Sequence, residues 1–245
     1  MVYITGDTHG ELQRFTETWM PGISTWTKDD TLMICGDFSF LLEDNAKEVW
    51  TLDQMQNFPF EILFVDGNHE NFPKLETFPQ EKRYGGRVNR IRNNVFWLRR
   101  GELYTVQGHT FWVFGGAYSL DKAFRVAYQR LCGTKVWFEE ELPIGEEYDR
   151  GSASLQACDF APDYILTHTA PASVIFRILR QMPDEHDAEL TGYLEWVYGK
   201  CRDRIKHWYF GHLHLDQPVT DKATACYTQV HTLPARNEGK ENAFV

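Results

Sequence analysis

Residues 2–10, Val-Tyr-Ile-Thr-Gly-Asp-Thr-His-Gly, join a short apolar segment to an Asp-x-His motif that is flanked by glycines. The β-branched and aromatic side chains of residues 2–5 predict a strand. Side chains two positions apart point to the same side of an extended segment, so Asp7 and His9 are expected to face one point. Glycine on both sides permits turns with positive φ, which bring the backbone close to that point.

The same arrangement, a strand-like segment followed by Asp, Asn or His, recurs further along the chain. The later motifs are Gly36-Asp37, Gly67-Asn68-His69-Glu70, His168-Thr169-Ala170-Pro171 and Gly211-His212-Leu213-His214. Taken alone, a short motif of this kind is more typical of a turn than of a set of ligands. Because open α/β sheets bind ligands at the carboxyl ends of their strands, motifs at five strand ends predict a single site.

The motifs supply carboxylates, one amide oxygen and imidazoles, without a thiolate. Such a mixed nitrogen and oxygen set suits Mn²⁺, Fe²⁺, Co²⁺ or Zn²⁺ and not Ca²⁺, which prefers oxygen ligands alone. Eight side chains are too many for one ion, so the sequence predicts more than one cation.

The alternation of strand-like and helix-like segments predicts a mixed α/β fold with more than one sheet. The predicted strands are 2–5, 31–35, 60–65, 94–98, 102–106, 110–114, 163–167, 205–210 and 225–231. The predicted helices are 11–19, 43–57, 121–131, 146–158 and 184–199. The early β-α-β order favours parallel pairing, and the close spacing of strands between 94 and 114 favours an antiparallel meander.

Length and composition favour one domain. The chain has 245 residues, 42% of them hydrophobic and 24% charged, as in folded globular proteins. We predict one domain over 1–236 and a polar tail over 237–245. The first residues are typical of a strand and not of a secretory leader, and no apolar stretch is long enough to span a membrane. Five scattered cysteines without a Cys-x-x-Cys motif predict reduced thiols in a cytoplasmic protein.

The five motifs, in this order, resemble those of the calcineurin-like metallophosphoesterase superfamily. Its pattern is Asp-x-His, Gly-Asp, Gly-Asn-His-(Asp/Glu), (Gly/Thr)-His and Gly-His-x-His, and the match runs from Gly6 to His214. The resemblance implies a four-layer α-β-β-α sandwich with two mixed central sheets. In finer detail, residues 67–72, 115–122 and 166–171 resemble small phage and bacterial members of the superfamily.

The resemblance also implies how two divalent metal ions are held. The ligands of the first ion would be Asp7, His9, Asp37 and His214. The ligands of the second would be Asp37, Asn68, His168 and His212, with Asp37 as the bridge. Asn68 would also contact the substrate, and His69 would be the histidine beside the scissile phosphate that does not bind metal. Mn²⁺ is the expected ion, with iron, zinc, cobalt or nickel as alternatives.

The function implied is that of a binuclear phosphoesterase, which hydrolyses a phosphomonoester or phosphodiester of a small or nucleotide-like substrate. Two cations about 3.5–4 Å apart can share a hydroxide that attacks phosphorus in line, and His69 would protonate the leaving group. Phe40 and Leu41 stand where the Ser/Thr protein phosphatases carry the Asp that orients this histidine and the Arg that clamps the phosphate. A phosphoprotein substrate is therefore disfavoured.

Two groups of basic residues are candidates for phosphate contact. Seven Lys and Arg residues lie within 82–100, where they would line a substrate entrance or, more commonly, the solvated face of a hairpin. Arg125 is the better single candidate because a guanidinium binds phosphate through two hydrogen bonds. The alternative for Arg125 is a helix cap or a salt bridge on a helix face.

Two alternative functions stay open. The first is a nuclease that acts on single strands or ends, which a net charge of −10 disfavours because nucleic acid is itself polyanionic. The second is a non-catalytic protein that keeps metal only for stability and binds a partner. Such proteins usually lose ligands, whereas every ligand position is filled in this sequence. His109, His186, His207 and His231 are expected to be ordinary surface or core residues.

Overall fold

Two mixed β-sheets lie at the centre of the computed structural model, which describes residues 1–236. The strands are β1 (Val2–Thr5), β2 (Thr31–Ile34), β3 (Glu61–Phe64), β4 (Gln80–Arg83), β5 (Gly86–Arg92), β6 (Val95–Leu98), β7 (Leu103–Val106), β8 (His109–Phe114), β9 (Tyr164–Thr167), β10 (His207–Phe210), β11 (Gln217–Pro218), β12 (Ala223–Ala225) and β13 (His231–Leu233). The first sheet has the order β13-β1-β2-β3-β6-β5-β4, and the second has the order β11-β12-β10-β9-β8-β7. The tail predicted over 237–245 lies outside the described residues.

Six α-helices connect the strands of the described part. They are α1 (Ala46–Gln54), α2 (Phe72–Leu75), α3 (Lys122–Cys132), α4 (Gly145–Ala157), α5 (Ala172–Leu179) and α6 (Ala188–Cys201). α1 and α2 each begin after an asparagine whose side chain accepts a backbone N–H of the first turn, at Glu48 and Lys74. Such caps satisfy donors that the helix leaves free. α3 ends at Gly133, which has a φ of 74° that glycine adopts without steric cost.

Three apolar layers separate the sheets and helices. Alternate side chains of β2 show this directly, since Ile34 packs on the outer face with Leu52 of α1, and Met33 packs between the sheets. In the second sheet Val113 faces the layer between the sheets, and Trp112 faces the outer layer with Leu194 of α6. The predicted four-layer α-β-β-α sandwich with two mixed sheets is therefore confirmed.

The pairing of β1, β2 and β3 is parallel, as the early β-α-β order predicts. The meander predicted over 94–114 is wrong. β6 pairs with β3 and β5 in the first sheet, whereas β7 and β8 form a hairpin in the second. The chain changes sheets at 99–102, where the Arg100 guanidinium forms an ion pair with the buried carboxylate of Asp66. Sequence proximity gave no sign of this crossing.

Tertiary hydrogen bonds explain two further errors. The helix predicted over 11–19 contains only one 3₁₀ turn, Leu12–Arg14, because the Arg14 side chain turns inward to donate to the Asp7 and Tyr227 carbonyls. The strand predicted over 225–231 is divided into β12 and β13. Between them, the Asp216 carboxylate accepts hydrogen bonds from three consecutive backbone N–H groups, at 227–229. Those groups are therefore not available for pairing in a sheet.

Several elements that the sequence left unassigned are present. β4 and β5 were not predicted because their many charged side chains obscure the pattern typical of a strand. α5 was not predicted because it follows a motif loop directly. Within the described residues no helix is both long and apolar enough to cross a membrane.

We predict that Leu194→Ala lowers the free energy of unfolding by about 2–5 kcal/mol, because a deleted core leucine leaves a cavity. Leu194 is 0% exposed, whereas Leu131 of α3 is 86% exposed. Leu131→Ala is the matched control and should change the same free energy by less than about 0.5 kcal/mol. Urea unfolding followed by circular dichroism measures both, and equal losses would contradict the burial of α6 against the second sheet.

Candidate metal centre

The five motif loops meet at the carboxyl ends of neighbouring strands. His9 N–H donates to the Asp37 carbonyl over 2.8 Å, which joins the loops after β1 and β2. Gly211 N–H donates to the His168 carbonyl over 2.9 Å, which joins the loops after β10 and β9. The two sheets are tied together by His212 N–H, which donates to the Asp7 carboxylate over 3.0 Å. The backbone thus holds side chains from both sheets around one point.

The first predicted ligand set is brought together. One ligand atom from each of Asp7, His9, Asp37 and His214 lies within 4.8 Å of all the others. Within this group, His9 Nε2 and His214 Nε2 are 2.9 Å apart. A cation at the centre of this group would meet two imidazole nitrogens and two carboxylate oxygens, a donor set that suits borderline divalent metals.

The second predicted set lies beside the first. Asn68 Oδ1 is 3.0 Å from His168 Nε2 and 3.1 Å from His212 Nδ1. His168 Nε2 is also 3.3 Å from Asp37 Oδ1, while the other oxygen of Asp37 is 3.8 Å from His9 Nε2. The two oxygens of Asp37 therefore face different ligand sets, which is the placement that a bridging carboxylate needs.

The protonation pattern of His168 and Asn68 fits a bound cation. His168 Nδ1 lies 2.9 Å from the Cys35 carbonyl, so a neutral ring carries its proton there and has a lone pair on Nε2. Asn68 Nδ2 donates to Ser119 Oγ over 3.1 Å, which turns the amide oxygen toward His168. With this tautomer, a lone pair on His168 Nε2 would face the Asn68 amide oxygen, and a cation between them would remove the repulsion. Outer partners of this kind commonly orient metal ligands.

Burial favours the neutral forms of His212 and His9, which are the forms that bind metal. Burial lowers the pKa of His212 to about 3, with His168 adding to the effect. Burial likewise lowers the pKa of His9 to about 4, and the neighbouring His69 and His214 rings add to this shift. A neutral imidazole has a free lone pair, which metal binding requires. Both rings are therefore ready to bind a cation at neutral pH.

Burial raises the pKa of both carboxylates, but their neighbours give the two groups net shifts in opposite directions. Burial raises the pKa of Asp7 well above its usual range, and the charge of Asp37 raises it further. Burial would also raise the pKa of Asp37, but the nearby His168, His69 and His9 rings and the His69 N–H lower it overall. Bound cations would lower the pKa of both carboxyl groups and so favour their ionised forms.

The backbone at the ligands is strained. His9, Asp37, His212 and His214 have φ angles of 48°, 48°, 64° and 51°, a left-handed region that side chains other than glycine rarely adopt. Strain of this kind persists at functional sites where surrounding structure enforces it. The predicted role of the glycines is only partly correct, because Gly10 and Gly36 have positive φ, whereas Gly67 is needed for close approach. A Cβ at Gly67 would lie 2.1 Å from Asp37 Oδ1.

Two charged residues without a role assigned from the sequence support the Asp loops. The buried Glu70 carboxylate accepts the N–H groups of Phe38 and Ser39 over 2.7 and 3.2 Å, so it fixes the turn that follows Asp37. Arg14 donates to the Asp7 carbonyl over 2.9 Å. Glu70 is part of a quoted motif and could have been found there, whereas nothing in the sequence separates Arg14 from other arginines.

A hydrogen-bond network fixes Asn68. Ser119 Oγ accepts from Asn68 Nδ2 and from Arg125 Nη1, and donates to Glu141 Oε2 over 2.5 Å. Arg125 also donates to the Asn68 carbonyl over 2.9 Å and to the Val136 carbonyl. The Arg125 guanidinium is buried, and the geometry assigns it to the support of Asn68. A phosphate contact by Arg125 stays a prediction.

His69 lies at the more open side of the centre. Its N–H donates to Asp37 Oδ1 over 2.9 Å, and its ring packs edge-on against the His9 ring at 5.2 Å. Within the described residues the ring forms no hydrogen bond, and burial lowers its pKa. Phe40 cannot orient it, because that side chain is fully buried against Phe38 in the outer core.

The basic stretch over 82–100 forms the hairpin of β4 and β5 and the segment that follows it. Its arginines are paired with acidic side chains in the described residues. The pairs are Arg83–Glu61, Arg87–Glu102, Arg90–Glu81, Arg92–Asp53, Arg99–Glu76 and Arg100 with Asp66 and Glu147. This pattern favours the hairpin alternative over a substrate entrance, because paired guanidinium groups attract phosphate weakly.

The α-β-β-α sandwich and the Asp, Asn and His side chains at its strand ends define a class of metal-dependent hydrolases. The family model described as calcineurin-like phosphoesterase matches residues 1–216, and the chain belongs to that family. The matched residues include all five motifs, and the family implies metal-dependent hydrolysis of phosphoesters. A search of curated proteins returns no match.

We predict that Gly67→Ala weakens metal binding by about 10–100-fold, the range seen when the support of metal ligands is altered. The new Cβ would meet Asp37 Oδ1 at 2.1 Å and His168 Nε2 at 2.8 Å. Gly199→Ala in α6 is the control, since no atom lies within 4 Å of its Cβ. Calorimetric titration with Mn²⁺ measures the affinity of each. Unchanged binding by Gly67→Ala would show that the Asp37 carboxylate is not held where the structure has it.

Proposed function

We propose that this chain is a binuclear phosphoesterase that holds two divalent cations, with Mn²⁺ as the preferred ion, and hydrolyses a phosphomonoester or phosphodiester of a small or nucleotide-like molecule. The observation that carries the proposal is the position of Asp37. Its two oxygens face separate ligand sets, at 3.8 Å from His9 Nε2 and 3.3 Å from His168 Nε2. A single-metal site would need only one of those sets.

When bound, the cations would neutralise charge on the phosphate oxygens and lower the pKa of a water molecule for attack on phosphorus. The protein's own side chains do the rest. Asp7, His168 and Asp37 are almost completely buried, so they exclude water from the inner side. His9, His69 and His214 are more accessible, and the phosphate would approach along that side. His69 is placed there to hold a phosphate oxygen or to donate a proton to the leaving group.

The charge distribution supports a small substrate. The arginines of 82–100 are engaged in ion pairs, and Arg125 is engaged by protein acceptors. The net charge is −10, which repels a polyanion. These features disfavour the nuclease alternative. The complete sets of ligand atoms disfavour the alternative of a non-catalytic binding protein. Five free cysteines in the described residues support a cytoplasmic location as part of this proposal.

We predict that Asp37→Ala lowers kcat/KM by more than about 10²-fold, a loss that removal of one electrostatic group can cause, and that this variant binds fewer cations than the parent. The parent should bind close to two Mn²⁺ per chain. Hydrolysis of a panel of nitrophenyl and nucleotide phosphoesters, with elemental analysis of the protein, measures both. Asp203→Ala, at an exposed site, is the control. Saturation of the parent protein at one Mn²⁺ per chain would contradict the binuclear assignment.

We predict that His69→Ala damages esters with poor leaving groups far more than nitrophenyl esters. General acid catalysis contributes about 10²–10⁴-fold, and a nitrophenolate leaves without a proton. The measurement is the ratio of kcat/KM losses on alkyl and nitrophenyl esters, with metal content determined for both proteins. Equal losses on the two substrate types would mean that His69 positions the phosphate or supports the metals instead.

A further inference from the structure

A cavity of about 260 Å³ adjoins the metal centre at His212. Its walls are mainly apolar, from Leu120, Leu179 and Met182 among others. The volume falls just below the range of about 300–1,000 Å³ that is common for small-molecule sites. The cavity is therefore large enough for one compact organic group and too small for a length of polymer. No part of the metal chemistry described above uses it.

Thr169 lies in the cavity wall, with its hydroxyl oxygen buried beneath the surface. This residue follows the ligand His168, is 1% exposed, and lines the cavity. Within residues 1–236 its hydroxyl has no hydrogen-bond partner. Because buried hydroxyl groups are nearly always hydrogen-bonded, this group points to a partner that the protein itself does not supply.

Asp187 places a second polar group in the same wall. It is 6% exposed and precedes α6, yet its carboxylate does not cap the helix. The carboxylate accepts Tyr118 N–H over 3.2 Å, and no cationic side chain pairs with it in the described part of the chain. Burial raises its pKa to about 7, and Asp184 and Glu141 contribute to the shift. Buried carboxyl groups are ordinarily paired with a charge, whereas the only hydrogen-bond partner of the Asp187 carboxylate among the described residues is Tyr118 N–H.

The chemistry of the walls restricts the ligand. The apolar side chains and the Tyr118 ring favour a flat organic group. The charge of Asp184, whose pKa is lowered by hydrogen bonds from His186, disfavours a second anionic group in the cavity. Asp187 calls for a hydrogen-bond donor, and Thr169 can both accept and donate. A compact alkylammonium group would satisfy Asp187 but would leave the apolar walls unfilled.

We propose that this cavity binds the organic group of the substrate, and that this group is an uncharged heterocycle with an amino group, as in an amino-bearing nucleobase. The proposal rests on the proposed function, because the phosphate of the same molecule must reach the metal centre beyond His212. Asp187 accepts from the amino group and Thr169 contacts a ring nitrogen or its N–H. The two residues determine specificity and take no part in the cleavage of the ester.

Two substrate pairs that differ only in the amino group test the proposal. One pair compares adenosine with purine riboside, and the other compares cytidine with 2-pyrimidinone riboside. Each nucleoside is tested as its 5′-monophosphate and as its 2′,3′-cyclic phosphate. In at least one pair the amino-bearing member should have a kcat/KM at least about tenfold higher, because sites built to bind an N–H group discriminate against analogues that lack it. Asp187→Asn and Thr169→Val should each reduce that ratio several-fold. Their kcat/KM for methyl nitrophenyl phosphate, which has no base, should stay close to that of the parent.

Asp187→Ala is a second variant at the same position and should also reduce the ratio. Asp203→Asn, which changes an exposed carboxylate, is the control and should keep the ratio of the parent protein. Calorimetric binding of free adenosine and cytidine and of their deamino analogues, without added metal, gives a readout independent of hydrolysis. Equal kcat/KM and equal affinity within both pairs, with methyl nitrophenyl phosphate still hydrolysed, would overturn the cavity proposal and leave the proposed function standing. Selective nucleoside binding without hydrolysis of any ester would support the cavity and overturn the proposed function.

Discussion

The burial of the Asp37 carboxylate between two sets of ligand atoms is the constraint on which the rest of the site depends. A buried charge is costly unless a cation or several hydrogen bonds compensate it. In this chain the only backbone donor to its carboxylate among the described residues is His69 N–H, and histidine rings surround the rest. Cations would supply what the side chains do not, and because they would bind the folded state, they would also stabilise it.

The loops are built to keep this arrangement despite its cost. Four ligand residues have positive φ angles between 48° and 64°, and each such residue stores strain. Two hydrogen bonds oppose that strain. Glu70 accepts the N–H of Phe38, in the loop of Asp37, and the His212 N–H donates to the Asp7 carboxylate. The His212 bond joins the loops of both sheets, and the Glu70 bonds join two loops of the first sheet, so the rigidity of the sandwich is transmitted to the predicted ligands. A site of this kind on isolated loops would relax away from the geometry that cations require.

The layers and the convergence of the motif side chains were predictable because they follow local rules, whereas the contacts that support the loops were not. Short apolar strands with Asp or His at their ends show directly in the sequence. The inward turn of Arg14, in contrast, depends on carbonyls of residues 7 and 227. The change of sheets after β6 likewise depends on the buried Arg100–Asp66 pair, and Asp216 divides the last strands from a distance along the chain. Interactions between remote residues leave no periodic pattern.

The same constraint explains how an acidic chain can attract a phosphate. The arginines near the site already have partners, because Arg125 donates to the Asn68 carbonyl and Arg100 forms an ion pair with Asp66. Leu41 stands where the Ser/Thr phosphatases carry the phosphate-binding Arg. Two divalent cations would bring four positive charges against the two negative charges of Asp7 and Asp37, which leaves the centre positive although the whole chain carries −10. Bound ions are often the largest local charges in a site. Phosphate attraction would therefore depend on the cations, and the choice among phosphoesters would depend on the surfaces around them, such as the cavity that Thr169 and Asp187 line.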